Sequence, residues 1–443
     1  MSERTDVIVV GARCAGAPLA ALLARAGVRV SVLERAQLPS DTLSSHIFEM
    51  DALAFLARMG VIERVLATGA PLVNHTQTRI EDLLLDIELP RAPGDPGGMM
   101  SVRRTLFDEI LVDAAADAGA QVRMGARVSD LLSDDAGRVN GVRFIEGDSE
   151  HELRARLVVG ADGRQSTVAR LAGARRYNVT PNQRLLLWAY YEGADTGTPP
   201  RFLSHRWEGR FTLGIPCDSG LYQVLVMPEL TERTRFQSDR DAAFIEHARA
   251  CEPIADALAG AKQLGKAVGA FSYEGFFREG SGRGWVLCGD AGHFKSPAPG
   301  RGIGDAFLQA QQLASTLTAA LAHSDEALDR ATHEWVRWRE REFAEHYWLA
   351  YDLEEAGLVP AVLVELLARL RDQGKAGLFF DVLNHRARPV QVLSPARLLA
   401  ASARLLARSG TRRRELLART GTLGARDMRR RALGVRPAYA TAE

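Results

Sequence analysis

The chain opens on an apolar run, Val7 to Val10, that stops at Gly11. An alanine-rich stretch of helical period covers about Ala15 to Ala26, and a second apolar run, Val28 to Leu33, ends in the acid Glu34. Short apolar runs predict buried strands and the 3.6-residue period predicts a helix, so this segment reads strand, tight turn, helix, strand. A helix carrying Met50, Leu53, Phe55 and Leu56 follows and turns at Gly60, whereas residues 71 to 100 show little regular pattern and finish in RAPGDPGG. Another helix with Leu106, Ile110, Leu111 and Ala114 on one face precedes strands near Gln121 to Met124 and Ala126 to Leu132. Turn signals at Asp134 to Gly137 and Asn140-Gly141 lead to LVVGADGRQSTVARLAGA, which reads as a buried strand, an Asp-Gly turn and a short helix capped by Ser166.

The texture changes between about Tyr177 and Gly284. LLLWAYYEG, RFLSHRW, RFTLGIP and YQVLVMP are short β-like runs separated by Gly, Pro and Asp turns, joined by one helix near Asp241 to Ala250. An antiparallel sheet inserted into an α/β chain is expected, roofing a pocket. Its aromatics, among them Trp188, Tyr190, Tyr191 and Phe211, suit an apolar aromatic ligand or simply the sheet's own core. The α/β pattern returns at GWVLCGDAGHFKSPAPGRGIGDAF, with a strand from Trp285 to Cys288, a Pro/Gly loop and a long helix beginning near Gly302 to Asp305. A further long helix runs from about Asp325 to Glu355. The remainder is Arg-rich, leucine-patterned and helical, and is read as a solvated amphipathic surface.

The fold class expected is therefore α/β, a Rossmann-like nucleotide-binding domain with an inserted antiparallel β-sheet substrate domain and a C-terminal helical region. The expected division assigns 1–75, 100–176 and 285–345 to the first, 76–99 and 177–284 to the second, and 346–443 to the third. A length of 443 residues exceeds what one core sustains. Hydrophobic content of 46% with 25% charged residues is that of a globular protein, and a net charge of +1 gives no global attraction to nucleic acid or membrane. No apolar run is long enough to span a bilayer, MSERTD leaves no room for a signal peptide, and a cytoplasmic location is expected. Cys14, Cys217, Cys251 and Cys288 are scattered without metal-ligand spacing; no metal is expected, and Cys14 alone, at a helix start, has a reading as a reactive thiol beside that of a buried one.

The first segment has the spacing of an adenine-dinucleotide cradle. Gly11 allows the sharp turn, Gly16 lets helix approach strand, the helix start receives a pyrophosphate, and Glu34 lies where an acid binds a ribose hydroxyl. Arg13 replaces the second glycine of G-x-G-x-x-G. Either its guanidinium adds a phosphate contact or the turn belongs to some other α/β protein. Arg103 and Arg104 oppose the dipole of the helix they begin, which calls for a partner such as phosphate or ribityl oxygens, or for solvent. Thr42, Ser44, Ser45 and His46 follow the ribose-binding strand and either overlie a bound dinucleotide or form a plain loop.

Taken together, the Gly11 turn with Glu34, VVGADGRQSTVAR around Asp162-Gly163, and GDAGHFKSPAPGRG around Asp290 resemble the flavoprotein monooxygenases of the p-hydroxybenzoate hydroxylase class. The resemblance covers roughly residues 5 to 345. It implies FAD held by Gly11, Arg13, Gly16 and Glu34 on the adenosine side and by Arg104, Asp162, Gly163 and Asp290, with Gly300, Gly302 and Ile303 near the ring. Gly304 stands where that class often has Asn. NAD(P)H is implied as a co-substrate without a fingerprint of its own, O2 as the oxidant through a flavin C4a-hydroperoxide, and an aromatic or polyketide-like small molecule as substrate, in a monomer or homodimer.

No catalytic residue follows from the sequence, although Pro297 and Gly302 would border the reacting ring, and His46, His75, His205 or a tyrosine of the sheet could serve as a base without the sequence choosing among them. Three alternatives remain. A flavin halogenase shares the scaffold, but Phe211 to Pro216 lacks both tryptophans of the W-x-W-x-I-P box and no lysine precedes Lys262. A reductase of isoprenoid double bonds, geranylgeranyl-reductase-like, is the second, and a non-enzymatic flavin-binding protein the third.

Overall fold

The computed structural model describes residues 3–40, 44, 46–408 and 413–440, so Thr42 and Ser45 lie outside the described residues. Val7–Val10, buried along its whole length, pairs in parallel with Val30–Glu34 on one side and Leu157–Gly160 on the other. Gln121–Met124 and Trp285–Leu287 extend this sheet outward in parallel, and Ser281–Gly282 closes one edge. Continuous apolar strands of this kind must be covered on both faces. Helices Gly16–Arg25, Arg104–Asp117 and Gly302–Ala320 cover one face, and their small residues let them approach closely. On the other face lies the four-stranded sheet that includes the Ala126–Ser133 and Val139–Glu146 hairpin.

The inserted sheet has seven strands. Lys262–Ala270, Leu186–Glu192, Leu221–Val226, Arg210–Pro216 and Arg201–Trp207 are antiparallel neighbours in that order. Its remaining strands, His75–Ile80 and Leu83–Glu88, come from the stretch expected to lack regular structure, and the first pairs in parallel with Arg201–Trp207. The alternation was carried by Thr76, Thr78 and Ile80, whose inward threonines do not register as apolar positions. Three helices, Arg233–Ser238, Arg240–Arg249 and Glu252–Ala257, rather than one, cover the outer face of this sheet around Phe236 and Phe244.

The 29-residue helix Asp325–Leu353 leads into the C-terminal helices. Their leucines are not a solvated face throughout. Val362, Leu366, Leu367 and Leu370 of helix Ala361–Asp372 pack with Ile80, Leu83 and Leu85, covering the outer strands of the inserted sheet. Arg426 and Arg430 of helix Arg413–Val435 reach back to Glu355 and Asp352.

Candidate active site

Gly11 adopts φ +98°, and a Cβ there would lie 2.6 Å from the carbonyl oxygen of Ala161, the residue just after the neighbouring strand Leu157–Gly160. A Cβ at Gly16 would lie 1.8 Å from the carbonyl oxygen of Gly11. Both positions exclude any side chain, so strand, turn and helix meet backbone to backbone. The first turn of helix Gly16–Arg25 has no capping side chain and no acidic residue. Its positive end opens into a cavity of about 600 Å³ that runs from Glu34 past Arg13, Asp162 and Asp290 to Gly302.

The polar side chains on the wall differ in how far they are already satisfied. Glu34 accepts the N–H of Ala12 at 2.9 Å and that of Ala36 at 3.0 Å, which fixes its carboxylate at the end of the strand while leaving lone pairs for a ligand. Asp162 accepts from Ser166 Oγ at 2.5 Å and from the Thr167 and Val168 N–H groups, tying it to the start of the short helix that Ser166 caps. Arg13 donates to Ser40 Oγ at 2.8 Å. Arg104 makes a two-point pair with Asp108, and Arg103 pairs with Asp218 instead of a phosphate. Asp290 is different, because no described residue hydrogen-bonds its carboxyl. Burial, reinforced by the Asp305 charge, pushes that group up to about 6.

Gly163, Pro297, Gly300, Gly302 and Ile303 complete the wall. Gly300 takes φ +73°, and nothing lies within 4 Å of the place a Gly302 Cβ would occupy, so that glycine presents bare backbone to the cavity. Gly304 has another reason to be small: a Cβ would come within 2.8 Å of the Arg301 guanidinium, which is doubly bonded to Asp51 at 2.6 Å. His46 lies elsewhere. It is 0% exposed, stacks on Tyr190 at 5.9 Å and meets Trp188 edge-on, lines neither this cavity nor the apolar one described below, and is depressed to about 3 by burial and then by Arg104. His75 pairs with Asp86 on the outer strands, and His205 lies 3.2 Å from Gln77. Cys14 is a buried thiol, raised to about 12 by desolvation.

Sequence reasoning missed a buried charge cluster at the Gly302 end of the cavity. Lys295, 6% exposed, pairs with Asp305 in the first turn of helix Gly302–Ala320. His385, from the C-terminal region, places Nε2 3.2 Å from Asp305 Oδ1 and stacks on His346 at 3.8 Å. Burial favours the neutral carboxylic acid at Asp305, but Lys295, His385 and Arg301 outweigh it and hold the group well below its usual range. Burial lowers Lys295 by more than Asp305 restores. The available signal was composition: Lys295 is the one lysine in a chain of four that sits inside a Gly/Pro loop.

A second cavity of about 130 Å³ lies behind the Ala298-Pro299-Gly300 segment, and Gly300 lines both. Ile47, Phe211 and Leu213 form one side and Leu353, Phe380 and Leu383 the other, so the inserted sheet and the C-terminal helices share it. Among the described residues there is no group of three or more His, Cys, Asp or Glu placed to hold a metal, and no helix long and apolar enough to cross a membrane.

The larger cavity fits FAD on the chemistry of its wall. An uncapped helix start with Arg13 beside it suits a pyrophosphate, Glu34 a ribose, and the unpartnered Asp290 a chain of hydroxyls. A family model described as FAD binding domain matches residues 4–341. Menaquinone reductase of Mycolicibacterium smegmatis (strain ATCC 700084 / mc(2)155) is 36% identical over 174 residues, which are 39% of this chain and 41% of that protein. The chain thus spans about two fifths of that curated relative. 6-Methylpretetramide 4-monooxygenase of Streptomyces rimosus is 29% identical over 336 residues, 72% of this chain and 77% of the other. The solved structure of a myxobacterial chondrochloren halogenase shares the fold with a TM-score of 0.69 at 22% identity, over 90% of this chain and 97% of that one. With the family model covering well over half of its length, the chain belongs to the FAD-binding-domain family of flavoproteins.

Proposed function

We propose that the protein is an NAD(P)H-driven monooxygenase that hydroxylates an aromatic or polyketide-like small molecule. The observation that carries this reading is the shared wall: Gly300 lines both the large polar-walled cavity and the small apolar one. A flavin held by Gly11, Arg13, Gly16, Glu34, Arg104, Asp162, Gly163 and Asp290 would present its ring at Pro297, Gly300, Gly302 and Ile303, next to the apolar cavity. Bound FAD, reduced by NAD(P)H, supplies the activation of O2. The chain's own task is to keep water out and hold an electron-rich ring against that wall, and the apolar lining does both. A single dinucleotide fingerprint favours NAD(P)H as a visiting reductant. The 76–99 and 177–284 segments serve as the substrate-binding unit and 346–443 as its helical cover.

Two neighbouring chemistries have features in their favour. The aliphatic lining would also accept an isoprenoid chain, as a reductase of such double bonds requires. Halogenation is favoured by the fold likeness, but Phe211 to Pro216 carries no tryptophan, and the one lysine on the cavity wall is engaged by Asp305.

Purified protein is expected to be yellow, to oxidise NAD(P)H faster when a substrate ring is added, to consume O2 as it does so, and to yield a product heavier by one oxygen atom. Reduction of a double bond without O2 uptake would establish the reductase instead. A colourless protein indifferent to added FAD would remove the basis for all of these chemistries.

A further inference from the structure

Glu49 stands at the N-cap of helix Met50–Arg58, yet its side chain makes no capping hydrogen bond. The Met50 N–H, at the first position of that helix, donates to Asn384 Oδ1 at 3.0 Å, an acceptor brought in by the C-terminal region. The Glu49 carboxyl lines the apolar cavity while being only 7% exposed. Its Oε1 lies 3.9 Å from the position a Gly300 Cβ would take, directly behind the wall shared with the larger cavity.

The charged groups around it are committed elsewhere. Arg301 is bonded to Asp51 through two contacts of 2.6 Å, and Arg386 to Asp95 and the Pro90 carbonyl. Arg79 donates to the carbonyl of Glu81, and Arg206 to those of Leu353 and Glu355. Among the described residues no side chain or backbone donor reaches the Glu49 carboxyl. A buried carboxyl without a partner costs free energy in the empty protein, and a ligand hydroxyl would recover it. Burial pushes the group up to about 8, against Arg301 and Arg386 and with help from Asp51. Its ionised fraction therefore changes across neutral pH, the range in which a proton acceptor is useful.

We propose that Glu49 receives the phenolic or enolic hydroxyl of an otherwise apolar, ring-sized substrate and takes its proton. The substrate O–H bond breaks, the proton passes to a Glu49 carboxylate oxygen, and the electron pair stays on the substrate oxygen, enriching the ring for attack by an electrophilic oxygen. The proton later leaves to solvent. A cavity of about 130 Å³ has room for one ring. This rests on the hydroxylation reading for its catalytic half, but recognition of the hydroxyl does not.

The test uses the FAD-loaded full chain without reductant, with phenol and anisole as probes and the flavin absorbance as the readout. Phenol is expected to bind about tenfold or more tighter than anisole. Glu49→Leu is expected to erase that preference without loss of FAD, since Glu49 does not line the larger cavity. Equal affinities in the unaltered protein, no binding of either probe, or a preference that survives Glu49→Leu would overturn the assignment. With NAD(P)H added, phenol-stimulated oxidation should climb with pH and level off above about 8. Glu49→Gln, whose amide still accepts the hydroxyl, should lower the maximal rate about a hundredfold with a flat pH profile and little change in phenol affinity. An unchanged rate in that variant would refute the proton transfer. Intact discrimination with no oxidation in the unaltered protein would sink the hydroxylation reading while supporting Glu49 as the group that recognises the hydroxyl.

Discussion

Asp108 faces Arg104 one helical turn earlier and binds it at both ends, Nε to Oδ1 at 2.6 Å and Nη2 to Oδ2 at 3.0 Å, with neither side chain more than about a tenth exposed. The same carboxylate lies 3.6 Å from Arg13, so one buried acid holds two guanidinium groups on the flavin cavity wall. Removing a single partner from such a pair leaves buried charge uncompensated. Asp108→Asn is expected to destabilise the protein by roughly 3–5 kcal/mol, read as a lowered midpoint in urea. Arg13→Gly restores the glycine of the fingerprint and removes only the outer, partly exposed cation. It should leave the fold intact and weaken FAD about tenfold, as the loss of one charged hydrogen bond would; an unchanged FAD affinity would show that the guanidinium makes no phosphate contact.

Asp290 supplies an expectation with a pH signature. Its carboxyl ionises at about 6 and accepts ligand hydroxyls best as the anion. FAD retention should therefore weaken as pH falls below about 6 in the unaltered protein. In Asp290→Ala it should be weaker by about ten- to a hundredfold at neutral pH and insensitive to acid over that range, measured by release of FAD fluorescence.

Gly16→Ala tests the closeness of strand and helix. The added methyl would stand 1.8 Å from the Gly11 carbonyl oxygen and 3.0 Å from Val9 Cγ1. Neither backbone can retreat without opening the parallel sheet. The substitution should destabilise by several kcal/mol, on the order of the worst overpacking changes, and the chain should fail to retain FAD even if it remains soluble.

Glu49 links pH to stability as well as to chemistry. Its value rises from 4.5 to about 8 on folding, so between those limits the native state holds a proton that the unfolded chain has lost. Stability is then lost as pH climbs through that window, because the native state binds more protons. Glu49→Gln carries no such penalty. It should melt higher than the unaltered protein at pH 8, by the equivalent of a few kcal/mol at most, with the gain shrinking as pH falls toward 5.

The parts of this molecule written in local pattern were readable from the chain. Val7–Val10, the Ser166 cap and helix Asp325–Leu353 each rest on contiguous residues whose apolar spacing or capping chemistry decides the element. Strands His75–Ile80 and Leu83–Glu88 did not announce themselves, since threonines fill two inward positions of the first and its parallel partner lies more than a hundred residues away. The glycines and acids of the flavin cavity form recognisable words in sequence. Glu49, Asp305 and Lys295 do not, because what makes them unusual is burial and the partners they have or lack. Asn384, 334 residues from Met50, binds the start of the helix that Glu49 precedes, a contact no local pattern announces.

That distant cap has an evolutionary corollary. The segment beyond residue 341 lies outside the stretch matched by the family model, yet it furnishes Leu353, Phe380, Leu383 and the amide that binds the Met50 N–H. Exchange of the tail would keep Gly11, Gly16, Glu34 and Asp290 in place, take His385 away from Asp305, and reshape the apolar cavity. Lineages built on one flavin engine thereby have a route to new substrates through the tail.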